Sequence, residues 1–128
     1  MDRKLTATAA LLGALGIILG AFGAHALKKV LTPDMLTSYE TGVKYQIYHA
    51  LFLLFVAVSP LVSQKAKKFI YILTVTGVVL FSGSIYLLSC NVLFPVSFKS
   101  IGFITPVGGL LLIAAWVTLF LHLFKRKV

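Results

Sequence analysis

Five side chains pair hydrogen-bonding chemistry with a place in or beside an apolar run: His25, Gln46, His49, Asn91 and Thr105. Amides and hydroxyls at such depth can bond across helices. Imidazoles can do more, because two suffice for bis-histidine haem ligation, whereas a closed zinc site needs a fuller ligand set. Hydrocarbon offers none of these groups a partner, so they turn toward protein or water. Two readings follow: the groups satisfy one another and nearby backbone, or they form a ligand or ion site.

Other chemistry finds little support. The acids are Asp2, Asp34 and Glu40. Asp2 is expected on the opposite side from the other two, and those lie in a loop or at a helix start, which leaves paired-carboxylate catalysis weakly supported. No His-Glu-x-x-His, Gly-x-Ser-x-Gly or Walker loop occurs. A single cysteine, Cys90, excludes an internal disulfide and a thiolate metal cluster. These features point away from an enzyme, and they call for no metal or other cofactor.

The stretch YETGVKYQIYHALFLL, 39–54, carries most of the polar groups. Read as a helix at about 100° per residue, it places Tyr39, Gly42, Gln46, His49 and Leu53 on one side, with Tyr45 beside His49. Glu40 and Lys44, four apart, can pair on another side.

The chain has 128 residues, 59% hydrophobic and 12% charged, with mean hydropathy +1.01. That is too apolar for a soluble domain of this size. Apolar stretches occupy 5–27, 45–62, 69–90 and 103–124, each long enough at about 17–25 residues to cross the hydrocarbon. They lack the alternation of a barrel, leaving an all-α bundle of four transmembrane helices in a single domain over 1–128. The net charge of +9 would suggest nucleic acid in a soluble protein. Here the cations bracket apolar runs. Arg3, Lys4, Lys65, Lys67, Lys68, Lys125, Arg126 and Lys127 fall on one side, and Lys28, Lys29, Lys44 and Lys99 on the other. The positive-inside rule then puts both termini in the cytoplasm.

The first apolar run is too long for a signal peptide and is expected to be retained. Ala9, Gly13, Gly16, Gly20 and Gly23 form one small-residue stripe; Ala7, Ala10, Ala14, Ala21 and His25 form a second. Two small faces predict a central helix enclosed by the other three, with Leu15 and its large neighbours toward lipid. Thr32-Pro33-Asp34 reads as a helix start, predicting a short interfacial helix over 33–41 in the first external loop. The third run has small or polar stripes at Gly77, Ser84 and Asn91 and at Thr76, Gly83 and Cys90; the fourth opens at Thr105-Pro106, with Gly108 and Gly109 permitting close approach. Trp116 is expected to be packed and His122 solvated. With this topology His25, Gln46, His49, Asn91 and Thr105 converge near the external end of the bundle.

The segments GAFGAHAL (20–27), YQIYHA (45–50), LFSGSIYL (80–87) and TPVGG (105–109) resemble the signature segments of domain-of-unknown-function family 423. These are small bacterial inner-membrane proteins related to an animal transmembrane protein. The resemblance covers nearly the whole chain in order. It implies a four-helix integral inner-membrane protein and brings no catalytic residues. Three functional classes stay open: a structural or accessory membrane component, a transporter or channel component, and a binder or enzyme holding metal or haem through His25 and His49. Small-residue faces and the lack of charge at membrane depth favour the first. The partners implied are the lipid bilayer and a membrane protein or second copy of the chain, not nucleic acid.

Overall fold

A computed structural model describes residues 1–125; Arg126 and Lys127, counted above for topology, lie outside the described residues. Four helices follow in order: α1 (Asp2–His25), α2 (Pro33–Val58), α3 (Gln64–Ser89) and α4 (Ile104–Lys125), with single 3₁₀ turns at Leu27–Lys29, Asn91–Leu93 and Lys99–Ile101. All four are long and apolar enough to cross a membrane.

Local chemistry sets the helix ends. Thr32 Oγ1 accepts the Met35 N–H at 3.2 Å, and Pro33 needs no N–H partner in the first turn. Ser63 Oγ accepts the Ala66 N–H at 3.2 Å to start α3. Ser59, extended before Pro60, stops α2. The segment expected as a separate interfacial helix over 33–41 is instead the first part of α2, continuous with its apolar run. Polar residues such as Glu40 and Lys44 hid that continuity from a reading based on apolarity.

The helices pack in chain order: α1 on α2, α2 on α3 and α3 on α4, while α1 meets α3 only slightly. This corrects the expectation of a central α1. Of the most apolar window of α1, 17% of residues are buried, against 50% for α2. The reason is polarity. α2 carries Tyr39, Gln46 and His49, all buried, so it needs protein on several sides. α1 can turn its apolar face to lipid without penalty. Its glycine stripe faces α2, and its second stripe, Ala7, Ala10, Ala14, Ala21 and His25, is exposed.

Close approach marks each seam. A Cβ on Gly16 would fall 2.7 Å from Ile47 Cγ1, one on Gly20 would fall 3.3 Å from Val43 Cγ1, and one on Gly23 would fall 2.5 Å from Tyr39 Cε1. Gly13 meets Ala50 at an ordinary 3.9 Å. Gly77 would clash with Leu112 Cδ2 at 2.7 Å, and Gly108 with the backbone nitrogen of Phe81. Gly109 meets only the Phe81 ring, at 3.5 Å, and Gly83 has nothing within 4 Å. A Cβ on Gly42, outside the packing set read from the sequence, would fall 2.8 Å from Tyr86 Cε1.

The start of α1 and the end of α4 lie at one end of the bundle. The buried Lys67 donates to Asp2 Oδ1 and to Ala57 O, each at 2.9 Å, and Gln64 Nε2 donates to the same Asp2 oxygen at 2.9 Å. Hydrogen bonds from Gln64 and Lys67 hold the Asp2 carboxyl below its ordinary range. Among the described residues this is the ion pair present; Glu40 and Lys44 stay exposed without one. Thr8 and Tyr71 hydroxyls meet at 3.0 Å, adding a second tie from α1 to α3. Leu5, Leu53, Val56, Ile70, Ala115 and Leu119 fill the core at this end, while Leu27, Leu31, Tyr39 and Val43 fill a smaller core at the other.

Candidate functional site

The centre of the bundle is a chain of hydrogen bonds from α1 through α2 to α3. Gln46 Nε2 donates to Leu12 O at 2.9 Å, and Gln46 Oε1 accepts from the Tyr86 hydroxyl at 2.6 Å. Seven residues along α2, one heptad away, the Tyr39 hydroxyl donates to Leu19 O at 2.6 Å. Both acceptors are helical carbonyls whose i+4 residue is glycine, Gly16 for Leu12 and Gly23 for Leu19. A residue without a side chain leaves the carbonyl of the preceding turn open to a second donor, so the glycine stripe provides acceptors as well as space. The Tyr39 and Tyr86 rings pack at 5.4 Å, and the Ser82 hydroxyl donates to Gly42 O at 2.7 Å.

His49 belongs to a second group, facing α4. Its Nδ1 lies 2.7 Å from Tyr45 O and its Nε2 3.1 Å from Trp116 Nε1. The indole N–H can only donate, so Nε2 accepts and Nδ1 carries the hydrogen, giving a neutral ring with both nitrogens engaged. Metal ligation through Nε2 would require breaking the tryptophan bond. Trp116 packs against Phe52 in a tilted arrangement, centroids 4.2 Å apart, and remains 49% exposed, so it is packed on one side and open on the other. Beside it a lateral groove of about 280 Å³ is lined by Tyr45, Phe81, Gly109, Ile113 and the His49–Trp116 pair.

The other sequence-read residues lie apart. His25 is exposed at the end of α1 without a hydrogen bond. The antiparallel register sets Gly23 against Tyr39 and Gly13 against Ala50, so His25 and His49 differ in level by about 18 Å at 1.5 Å per residue. The structure therefore does not bring the two imidazoles together. The expectation placed His49 one turn inside a helix started at 45; with α2 starting at Pro33, His49 lies near the middle of the helix. Asn91 closes the third loop on itself, donating to Val96 O at 2.7 Å and accepting Phe98 N–H at 2.9 Å. Thr105 meets Ser84 at 2.6 Å on the α3–α4 seam. His122 Nε2 accepts the Ser63 N–H at 3.2 Å while the ring stays partly exposed. Sequence reasoning missed Tyr86, Ser82 and the Trp116–His49 bond. A signal existed for the first two: Ser82, Tyr86 and Ser89 fall at i, i+4 and i+7, a polar stripe on one helical face. Among the described residues the Ser89 and Thr74 hydroxyls are buried without a hydrogen-bond partner.

Residues 19–109 match the family described as protein of unknown function, DUF423. The chain belongs to the DUF423 family. It is 37% identical to a UPF0382 membrane protein of Haemophilus influenzae, covering 99% of this chain and 98% of that one. It is 39% identical to a Staphylococcus haemolyticus UPF0382 membrane protein over 83% of each chain. It is also 34% identical to the UPF0382 inner membrane protein YgdD of Escherichia coli, over 98% of this chain and 93% of that one. No solved structure matches this DUF423 chain. It is thus a membrane protein of a family without an assigned activity, and its polar groups have to be read from their own geometry.

Proposed function

We propose that this DUF423 protein is a structural or accessory component of the bacterial inner membrane, multi-pass, with both termini cytoplasmic. One observation carries the reading: the buried Gln46 amide is spent at both ends on the bundle itself, between Leu12 O and the Tyr86 hydroxyl. A transport path needs polar groups free to exchange partners with a moving ion or solute. Here the central donors and acceptors join helices, which suits a rigid platform for a membrane-protein partner or a second copy of the chain. The reading requires neither catalysis nor a cofactor. The relative named as an inner membrane protein supports the location, and the lysine distribution supports the orientation. α2, at 26 residues or about 39 Å, exceeds the roughly 30 Å hydrocarbon, so its first turns, 33–41, emerge at the external surface.

Cross-linking in native membranes followed by co-purification tests the function. A stoichiometric membrane-protein partner or a specific homo-oligomer is expected; solute flux through the purified protein in vesicles, without a partner, would overturn the reading. Cysteine labelling should place positions 30 and 97 outside and 66 inside. A visible spectrum with haem bands would return the bis-histidine reading.

A further inference from the structure

At the end of the bundle where α1 starts and α4 ends, two clefts open on either side of His122. One, of about 410 Å³, lies between α3 and α4 and is lined by Ser63, Lys65, Phe69 and His122; the other, of about 440 Å³, lies along α4 and is lined by Leu121, His122 and Lys125. His122 lines both. We propose that these adjoining clefts together are a binding site for an anionic phospholipid.

The arrangement repeats on the two helices. Lys65 stands one turn outward of Phe69 on α3, and Lys125 one turn outward of Leu121 on α4. Each lysine is exposed and outside any ion pair among the described residues, and each apolar partner is exposed about 6 Å deeper along the axis. A phosphate at the level of the lysines places glycerol and acyl chains at the level of Phe69 and Leu121. His122 adds a donor: its Nε2 accepts the Ser63 N–H, so Nδ1 carries the hydrogen. The charge is complementary, because Asp2 is the acid at this end and is already bonded to Lys67, whereas Asp34 and Glu40 lie at the other. Basic clefts between membrane helices hold anionic headgroups in this way.

Native mass spectrometry of the detergent-purified protein, mixed with equal amounts of phosphatidylglycerol and phosphatidylcholine, tests the site. Preferential retention of phosphatidylglycerol is expected. Lys65→Gln/Lys125→Gln should lower that preference by about thirtyfold, or about fivefold per lysine in the single variants. Lys28→Gln/Lys29→Gln, at the opposite end, should leave it unchanged. Circular dichroism melting checks that the variants stay folded; should the double variant unfold, the single variants decide. Equal retention of the two lipids, an unchanged preference in folded Lys65 and Lys125 variants, or an equal loss in the Lys28 and Lys29 control would overturn the proposal. Displacement of the lipid by equimolar inorganic phosphate would also overturn it, leaving a simple anion site.

Discussion

Along the α3–α4 seam Gly108 faces backbone, whereas along the α1–α2 seam Gly16, Gly20 and Gly23 face side chains. At Gly108 a Cβ would meet Phe81 N, with Leu80 C and Phe81 Cα each at 2.8 Å. None of those atoms can move without moving the helix. At Gly16 and Gly20 the neighbours are the Cγ1 atoms of Ile47 and Val43, side-chain atoms that can give slightly without moving a helix, although β-branching holds each near one rotamer. The same residue type therefore does two jobs. On α4 it sets the distance between two helix axes; on α1 it opens carbonyls to Gln46 and Tyr39. The first seam is rigid by steric exclusion and the second is directed by hydrogen bonds.

The sharpest way to break this comparison is Gly108→Ala. It should force α3 and α4 apart and cost about 1–3 kcal/mol, giving the largest drop in melting temperature in detergent among single glycine variants. Gly16→Ala should cost less, because its neighbour is a side-chain atom of Ile47 and not the backbone of the facing helix. Equal losses would show that side-chain freedom does not separate the seams.

Gly23→Ala is the intermediate case. Its neighbour is a side chain, but one pinned by the Tyr39 hydroxyl on Leu19 O. A cost near 1 kcal/mol is expected, as the ring must shift and strain that bond. Tyr39→Phe removes the anchor, so Gly23→Ala should cost less in the Tyr39→Phe background than alone. A double-mutant cycle measures this directly, and strict additivity would separate the glycine from the hydrogen bond.

Tyr86→Phe should cost about 0.6 kcal/mol, the mean for interhelical bonds within membranes. It leaves Gln46 Oε1 without its donor but keeps the ring packing on Tyr39. A loss above about 2 kcal/mol would mean the network carries more of the fold than the glycine seams.

A smaller effect concerns the foot of α1, before its apolar run begins. Hydrogen bonds from Gln64 and Lys67 depress the Asp2 pKa. A depressed carboxyl stabilises the fold above its unfolded value, and the contribution is lost as pH falls through the folded one. Acidification into and below the ordinary carboxylate range should therefore loosen α1 slightly. Asp2→Asn should remove that pH dependence, with exchange of α1 amides as the readout.

Four helices were legible because hydrophobic runs of spanning length have few other readings. Their arrangement was less so, and α1 shows why: its two small stripes look equivalent in sequence, yet one faces α2 and the other is exposed. Which stripe finds a neighbour is decided by the polarity of α2, a property of another part of the chain. Site depth failed for a related reason. Apolarity begins at Tyr45 but the helix begins at Pro33, so Gln46 and His49 were placed too near the start of the helix and His25 was assigned to their company. Thr105 and Asn91 carry local bonds, to Ser84 and within the third loop, that spacing alone does not distinguish from shared ones.

The smallest expected effect is at Gly83. It stands in a stripe read as a packing face with Thr76 and Cys90, yet a Cβ there meets nothing within 4 Å. The position opens on a groove of about 270 Å³ lined by Val79, Leu80, Leu87, Ile101 and Ile104. In detergent Gly83→Ala should change stability by no more than about 0.5 kcal/mol, the range of substitutions that touch no packed neighbour. Helix propensity favours alanine, which biases the change toward stabilisation. The informative measurement is the same variant in native membrane. If Gly83→Leu lowers cross-linking to a partner while leaving the detergent melt unchanged, the third kind of glycine in this bundle is one reserved for a neighbour outside the chain. If both readouts are unmoved, Gly83 faces lipid, and the contrast between backbone-facing and side-chain-facing glycines accounts for the seams alone.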